Sequence, residues 1–135
     1  MDVTTAMLAD AAALADGKLY VHGGGWDNIY TAEVPTTHPA LALVLIFHLS
    51  WHEANEDIPL RLELVDEDDR HPVTRGEGKM RTGTPPQVKK GADLYYPFAQ
   101  MFYGLQFPKL GRYVFRVASG GQVLASLPLT VSTPP

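Results

Sequence analysis

The stretch "ALALVLIFHLSW", Ala40 to Trp51, places a large apolar residue at every second position, which is the period of one face of a β-strand. These residues are Leu41, Leu43, Leu45, Phe47, Leu49 and Trp51. The residues between them are also apolar as far as Ile46, and they become polar from His48 onward. The pattern predicts a central strand that is covered on both sides and whose far end emerges into solvent.

The C-terminal stretch "GRYVFRVASGGQVLASLPLTV", Gly111 to Val131, has the pattern of a β-hairpin. The first strand turns its apolar residues inward, and the turn is "SGG", residues 119–121. The residues expected to face inward are Tyr113, Phe115, Val117, Val123, Ala125, Leu127, Leu129 and Val131. Pro128 has no N–H to donate, so the last strand lies at an edge or has its N–H side free at that residue.

Two more strands are predicted in the middle of the chain. In "PLRLELVDEDDRHP", alternate leucines oppose Arg61 and Glu63, which indicates a half-buried strand that ends in a solvated acidic turn. The next stretch, "TRGEGKMRTGTPP", alternates charged residues from Arg75 to Arg81 and predicts an exposed strand at a sheet edge. Short strands at this spacing favour an all-β fold, a single-domain, two-sheet antiparallel β-sandwich of Ig-like or C2-like architecture with little helix. The domain spans residues 1–135 with a short flexible tail at 132–135.

The composition excludes several kinds of function. The 135 residues include no cysteine, which rules out disulfides, thiolate metal sites and cysteine nucleophiles. The net charge of −4 gives no overall positive field for nucleic acid. The longest apolar run is too short for a membrane-spanning helix, and no secretory signal is visible. We therefore expect a cytoplasmic protein without membrane insertion and without nucleic-acid binding.

The N-terminal stretch "TTAMLADAAALADGKLYVHG" fits two structures. Its many alanines and the following Gly17 suit a helix that ends at a glycine. The pair Asp16-Gly17 between two apolar runs is also the signal of a tight β-hairpin. The residues alone leave both possibilities open, although propensity favours the helix.

Three segments together resemble an uncharacterised family of small bacterial β-sandwich proteins. They are "LADAAALADGKLYVHGGGWDNI", "LRLELVDEDDR" and "LQFPKLGRYVFRVASGGQVLASLPLTV", in that order along nearly the whole chain. The resemblance implies a β-sandwich in which residues 6–13 and 18–23 pair as strands about Asp16-Gly17. It implies no activity, and it supplies no catalytic or binding residues.

The run His22-Gly23-Gly24-Gly25-Trp26 has the letters of an oxyanion-hole loop of α/β-hydrolases. Such an enzyme also needs a nucleophile in a G-x-S-x-G elbow, and no serine here has that frame; the nearest, Ser119, lies in the predicted hairpin turn. The run also lacks the spacing of a nucleotide-binding loop. We therefore interpret the glycines as a bulge that bends a strand end and lets Trp26 pack across the end of the sandwich.

The histidines and acidic residues predict no cofactor and no metal. In a strand, His48 and His52 are roughly 13 Å apart, too far to share one ion, and we expect isolated surface histidines. The acidic turn at residues 66–69 resembles a Ca²⁺ loop of C2-like sandwiches, but Ca²⁺ needs a second carboxylate loop. The residues that could supply one are Glu53, Glu56 and Asp57.

The stretch "YYPFAQMFYGLQF" holds six of the aromatic residues of the chain, and it is either core or interface. Phe98 and Phe102 lie on one strand face, and Tyr95 and Tyr103 on the other. Basic residues are concentrated in 70–90, after an acidic region at 53–69. The candidate binding surface comprises Trp26, Tyr95, Tyr96, Phe102, Tyr103, Arg75, Lys79 and Arg81.

These observations predict a non-enzymatic interaction module, an adaptor or assembly subunit that binds a protein partner or a second copy of itself. An alternative is a sandwich that binds a small ligand or carbohydrate on Trp26, Tyr95 or Tyr103. A third hypothesis is a hydrolase that uses the His22 run.

Overall fold

The computed structural model describes residues 1–68 and 70–135, and within them the chain forms nine β-strands and one short 3-10 helix. The strands are β1 (Asp2–Ala15), β2 (Lys18–Trp26), β3 (Asn28–Tyr30), β4 (Thr36–Leu49), β5 (Ile58–Asp66), β6 (Pro72–Met80), β7 (Leu94–Phe107), β8 (Gly111–Ser119) and β9 (Gln122–Ser132). The 3-10 helix is Glu53–Asn55. Strand β9 ends where the predicted flexible tail begins, and the flexibility of that tail stays a prediction.

The strands form two sheets that pack as a sandwich. The four-stranded sheet has the order β2-β1-β4-β7, and the five-stranded sheet has the order β3-β9-β8-β5-β6. The predicted all-β two-sheet fold is confirmed. The strand pairs are antiparallel except for β3 and β9, which pair in parallel over three residues. No helix in the described part of the chain is long and apolar enough to cross a membrane.

One face of β4 forms the centre of the core. Its residues Leu41, Leu43, Leu45, Phe47 and Leu49 are fully buried against the five-stranded sheet. The strand ends at Leu49, so Trp51, which was expected to continue this face, lies instead in the turn before the 3-10 helix.

The other face of β4 is covered by the β1–β2 hairpin. Strand β1 pairs with β4 up to Ala9 and then continues paired with β2 alone, as an arm of residues 10–23. Ala12 and Leu19 of this arm pack against a small buried cluster of Ala9, Ala42 and Val44. The central strand is therefore buried on both faces, as its sequence predicted.

The tip of the arm is the tight turn at Asp16-Gly17. Both residues have a positive φ, 52° and 71°, as a type I′ hairpin turn requires. Ala15 pairs directly with Lys18 across this turn. The hairpin implied by the family resemblance is confirmed, and the helix favoured by propensity is wrong.

The glycine run forms the bend at the base of the arm. Leu8 pairs with Trp26 and Ala9 pairs with Gly24, which leaves Gly25 as an extra residue in a β-bulge. Gly25 has a φ of +90°, a conformation that residues with a side chain rarely adopt. A Cβ on Gly24 would lie 3.0 Å from Met7 Sδ and 2.9 Å from Val21 Cγ1. The predicted glycine bulge is present.

The predicted C-terminal hairpin is also present, with one change of face. Val117 pairs with Ala125, but Ala118 pairs with Val123, so Leu124 is an extra residue on β9. Leu124 therefore packs against the core, and Val123 is 53% exposed. The inward orientation expected for Val123 is wrong because one inserted residue reverses the face of a strand.

Pro128 lies where the missing N–H removes no sheet hydrogen bond. Thr130 N donates to Asp27 O on the β3 side of β9. Because the backbone of a strand repeats every two residues, the nitrogen of Pro128 points to the same side as that of Thr130. At residue 128 this side has no strand opposite it, since β3 pairs only with residues 130–132. The expectation that the N–H side is free at Pro128 is met.

Asp66 ends β5 as a fully buried carboxylate. Its Oδ1 accepts a hydrogen bond from Arg70 N at 2.9 Å, and its Oδ2 lies 3.1 Å from Lys109 Nζ. Burial acts to raise the pKa of Asp66, but the backbone N–H of Arg70 and the Lys109 ammonium outweigh it, so the pKa is lowered. The acidic turn is therefore not wholly solvated as expected; its last member, Asp69, lies outside the described residues.

We predict that Gly24→Val destabilises the fold by about 1–3 kcal/mol, because the new side chain collides with Met7 and Val21 at the base of the arm. Urea denaturation of the two proteins measures the difference. Ala13→Val, which adds a side chain at an exposed position of the same arm, serves as the control. Equal destabilisation by both changes would contradict the role assigned to the bend.

Candidate functional site

The sandwich is open along the side where β6 and β7, one edge strand of each sheet, face each other. A groove with a volume of about 550 Å³ lies between them. We call it the β6–β7 groove. Its lining residues come from three strands and the following loop, and they are Leu60, Leu62, Gly76–Arg81, Tyr96, Phe98, Gln100 and Phe102.

The floor of the groove is apolar and continuous with the core. Phe98 packs edge-to-face on Phe47, with 5.8 Å between ring centroids. Phe102 packs on Phe115 at 5.2 Å. Because these contacts fix both rings from below, the groove presents a preformed aromatic surface.

The groove is open because β6 supplies glycines where side chains would otherwise fill it. Gly76 pairs with Leu62 and Gly78 pairs with Leu60, so both glycines lie on the inward face of the five-stranded sheet. A Cβ at either glycine would meet no atom within 4 Å. The space above the leucines is therefore free for a ligand.

The mouth of the groove carries basic residues. Arg81 Nε lies 3.0 Å from Asp57 Oδ1, so this guanidinium is already paired. Lys79 lines the groove on β6, but it lies on the same strand face as Arg75, so its side chain belongs to the outer face of the sheet.

The outer face of the five-stranded sheet next to the groove is also basic. Glu63, whose side chain is 12% exposed, lies among three arginines. Its Oε1 is 3.1 Å from Arg116 Nη1, and its Oε2 is 3.0 Å from Arg61 Nη2 and 3.6 Å from Arg75 Nε. Three cations around one carboxylate leave an excess of positive charge on this face.

The groove brings together four of the eight residues of the predicted binding surface. Tyr96, Phe102, Lys79 and Arg81 line it. Arg75 lies on the same strand β6 but belongs to the outer face, paired opposite Glu63.

The other three aromatic candidates lie elsewhere. Tyr95 and Tyr103 are 65% and 72% exposed on the opposite face of β7. Trp26 is partly buried beside the core and contacts His38, with 6.0 Å between ring centroids. The aromatic segment thus divides, since the face with Phe98 and Phe102 belongs to core and groove and the face with the two tyrosines is exposed.

The sequence reasoning did not identify Gly76 and Gly78 or the leucines opposite them as parts of a site. The alternation "RGEGK" contains a signal, because glycine at every second position of a strand removes one face of side chains. Its meaning depends on which strand lies opposite, which the sequence does not give.

His48 is not the isolated histidine that was expected. Its Nδ1 lies 2.7 Å from Asp2 Oδ1, and its Nε2 lies 2.9 Å from Asp93 Oδ2. Tyr95 stacks beside the imidazole, 5.0 Å away between centroids. The hydrogen bond with Asp93, followed by that with Asp2, raises the pKa of His48. The imidazolium thus connects β1 and the start of β7 to the end of β4.

The residues of the hydrolase hypothesis are not brought together. His22 lies on β2 of the four-stranded sheet, and Ser119 ends β8 of the five-stranded sheet, where it pairs with Gln122 across the glycine turn. Among residues 1–68 and 70–135, no group of three or more His, Asp or Glu side chains is placed to hold a metal ion. Asp57 of the second candidate Ca²⁺ loop is paired with Arg81.

Comparisons with known proteins give a family and a weak structural likeness. A family described as "Family of unknown function (DUF6941)" matches residues 4–132. No curated protein matches the chain. Among solved structures, a β-glucuronidase from glycoside hydrolase family 2 is similar over 71% of this chain and 10% of that chain, with 15% identity and a TM-score of 0.37. This likeness is too low to support an argument about function.

We predict that the contribution of His48 to stability depends on pH. Because its pKa is raised in the folded state, the contribution is fully present below the ordinary histidine value of 6.5 and is lost as the pH rises through the folded-state pKa. His48→Gln should remove this part of the pH dependence of the free energy of unfolding, measured by urea denaturation between acidic and mildly basic pH. His52→Gln, at an exposed histidine, is the control, and an unchanged profile in His48→Gln would refute the assignment.

We also predict that the double variant Gly76→Val, Gly78→Val folds and is at least as stable as the wild type. Valine favours strands, each glycine costs about 0.5–1 kcal/mol in a strand, and the groove has space for both side chains. Thermal denaturation measures the effect. A lower melting temperature would mean that the groove is not free space.

Proposed function

Since the chain belongs to the family of unknown function DUF6941, we propose a function from its own geometry: it is a non-enzymatic protein-binding module whose β6–β7 groove takes apolar side chains of a partner. The observation that carries the proposal is the apolar floor left open by Gly76 and Gly78. Apolar surface rimmed by polar residues is typical of protein-binding sites.

The shape of the groove favours a polypeptide over a small molecule. Pockets for small ligands enclose most of the surface of the ligand, whereas this groove is open along its length. Its two walls are strand edges, which offer backbone N–H and C=O groups in the spacing of another extended chain. A protein segment can use both the apolar floor and these edges.

The carbohydrate alternative has less support. Tyr95 and Tyr103 are eight residues apart on β7, which separates them by about 26 Å at ~3.3 Å per residue. Trp26 is partly buried and engaged with His38. These side chains therefore do not share one stacking platform.

We propose that the protein is a cytoplasmic adaptor or assembly subunit and that it has no catalytic activity. The separation of His22 and Ser119 into different sheets supports the absence of a serine–histidine pair. The protein partner supplies the apolar side chains, and the groove supplies the binding surface.

The test is selection of peptides from a random dodecamer phage library on the wild-type protein. We predict that enriched peptides bind the double variant Gly76→Val, Gly78→Val at least about tenfold more weakly, because its valines occupy the groove. Isothermal titration calorimetry with synthetic copies of the enriched peptides measures the loss.

Ala13→Val is the matched control, since it adds the same side chain on an exposed strand outside the groove, and it should leave binding unchanged. If no peptide is enriched, or if enriched peptides bind both variants equally, the groove is not the binding surface.

A further inference from the structure

We propose that the partner segment binds as an added β-strand on the free edge of β6, with apolar side chains in the groove alternating with acidic side chains over the outer face. This inference rests on the proposed function and specifies the chemistry of the partner. It follows from three features of β6: its edge, its glycines and the charges on its outer face.

The edge of β6 is the most complete of the free edges that the described residues form. Strand β7 is irregular at two places, at Pro97 near its start, which has no N–H to donate, and at Gly104, which has a φ of 64° and is left out of the pairing with β4. Strand β3 has three residues, and β2 contains the bulge at Gly25. From residue 74 to residue 80, β6 has neither a proline nor a register shift, so every residue on its open side retains both backbone groups.

The two glycines of β6 allow another chain to approach closely. Glycine in a strand interior commonly marks a place where a second backbone comes near. Gly76 and Gly78 face the groove, so the inward side chains of a strand added beside β6 can extend across the glycines towards Leu60 and Leu62 on β5 without competition from side chains of β6. The groove thus receives every second side chain of the added strand.

The remaining side chains of an added strand would meet the outer face of the sheet. Arg75 and Lys79 lie there, two positions on either side of Glu77, whose Oε1 is 3.9 Å from Arg61 Nε. Around β6 this face carries four basic and two acidic side chains: Arg61, Arg75, Lys79 and Arg116 with Glu63 and Glu77. A local excess of positive charge in a chain of net charge −4 favours carboxylates in the partner.

The probe is a capped, fluorescently labelled peptide of about eight residues that alternates valine and glutamate, matched in length to the nine residues of β6. Three comparison peptides have valine alternating with lysine, the same valines and glutamates in two blocks, and N-methyl groups on alternate residues. Fluorescence anisotropy gives the dissociation constants. Hydrogen exchange followed by NMR gives the protection of each β6 amide.

We expect the valine–glutamate peptide to bind and each comparison peptide to bind at least about tenfold more weakly. Alternate amides of β6 should gain protection on binding, and those of β2 should not. The double variant Arg75→Glu, Lys79→Glu should reverse the preference towards the valine–lysine peptide. Lys89→Glu, Lys90→Glu, which changes the same charge in an exposed loop, should leave the preference unchanged.

Two results would overturn strand addition while leaving the proposed function intact: N-methylation without effect on affinity, or phage-selected peptides that need the groove but give no protection of β6 amides. A stable dimer whose β6 amides are protected without peptide would assign the edge to a second copy and also overturn the proposal. Loss of all groove-dependent binding, in contrast, would refute the proposed function itself.

Discussion

The structure depends on burying both faces of β4 in a fold that has only two sheets. The core face of this strand packs against the five-stranded sheet, but the face with Ala42 and Val44 points away from it. An apolar outer face on the central strand would expose the sheet to aggregation. The chain meets this constraint with the β1–β2 arm, and the bend that folds the arm over requires the glycine bulge. The glycines of the His22 run therefore have a backbone role, because a side chain at Gly24 would collide with Met7 and Val21 and one at Gly25 would strain a φ of +90°.

No comparable element covers the apolar side chains between β6 and β7. Two valines or leucines in place of Gly76 and Gly78 would close that side with ordinary core packing, since the space for them exists. The chain instead places its least strand-favouring residue twice in one strand. Departures from local preference without a structural reason are concentrated at functional sites. Gly24 differs from these two glycines, because a Cβ there would lie within 3.0 Å of Met7 and Val21 side-chain atoms and the glycine therefore has a structural reason.

Much of the fold could be predicted from the sequence because a strand with one buried face has a period of two. The faces of β4, β5 and β8 follow directly from that period. The prediction fails at Val123, where one inserted residue reverses the face, and the pattern contains no mark of the insertion. The ion pairs of His48 join residues more than forty positions apart, and the burial of Asp66 depends on Lys109. The groove likewise combines β5, β6 and β7, so only its aromatic and basic residues could be predicted from the sequence.

In the proposed complex, the groove and the basic outer face would have different roles in recognition. Apolar side chains in the groove supply affinity, because they leave water for a surface already fixed by Phe47 and Phe115. Arg61, Arg75 and Glu77 of the outer face are exposed and paired, so each would add little to affinity. The charges of this face favour one charge sign in the partner and speed its approach. Because the two sets lie on opposite faces of a single strand edge, one extended segment of alternating character contacts both, and a segment that slips by one residue contacts neither.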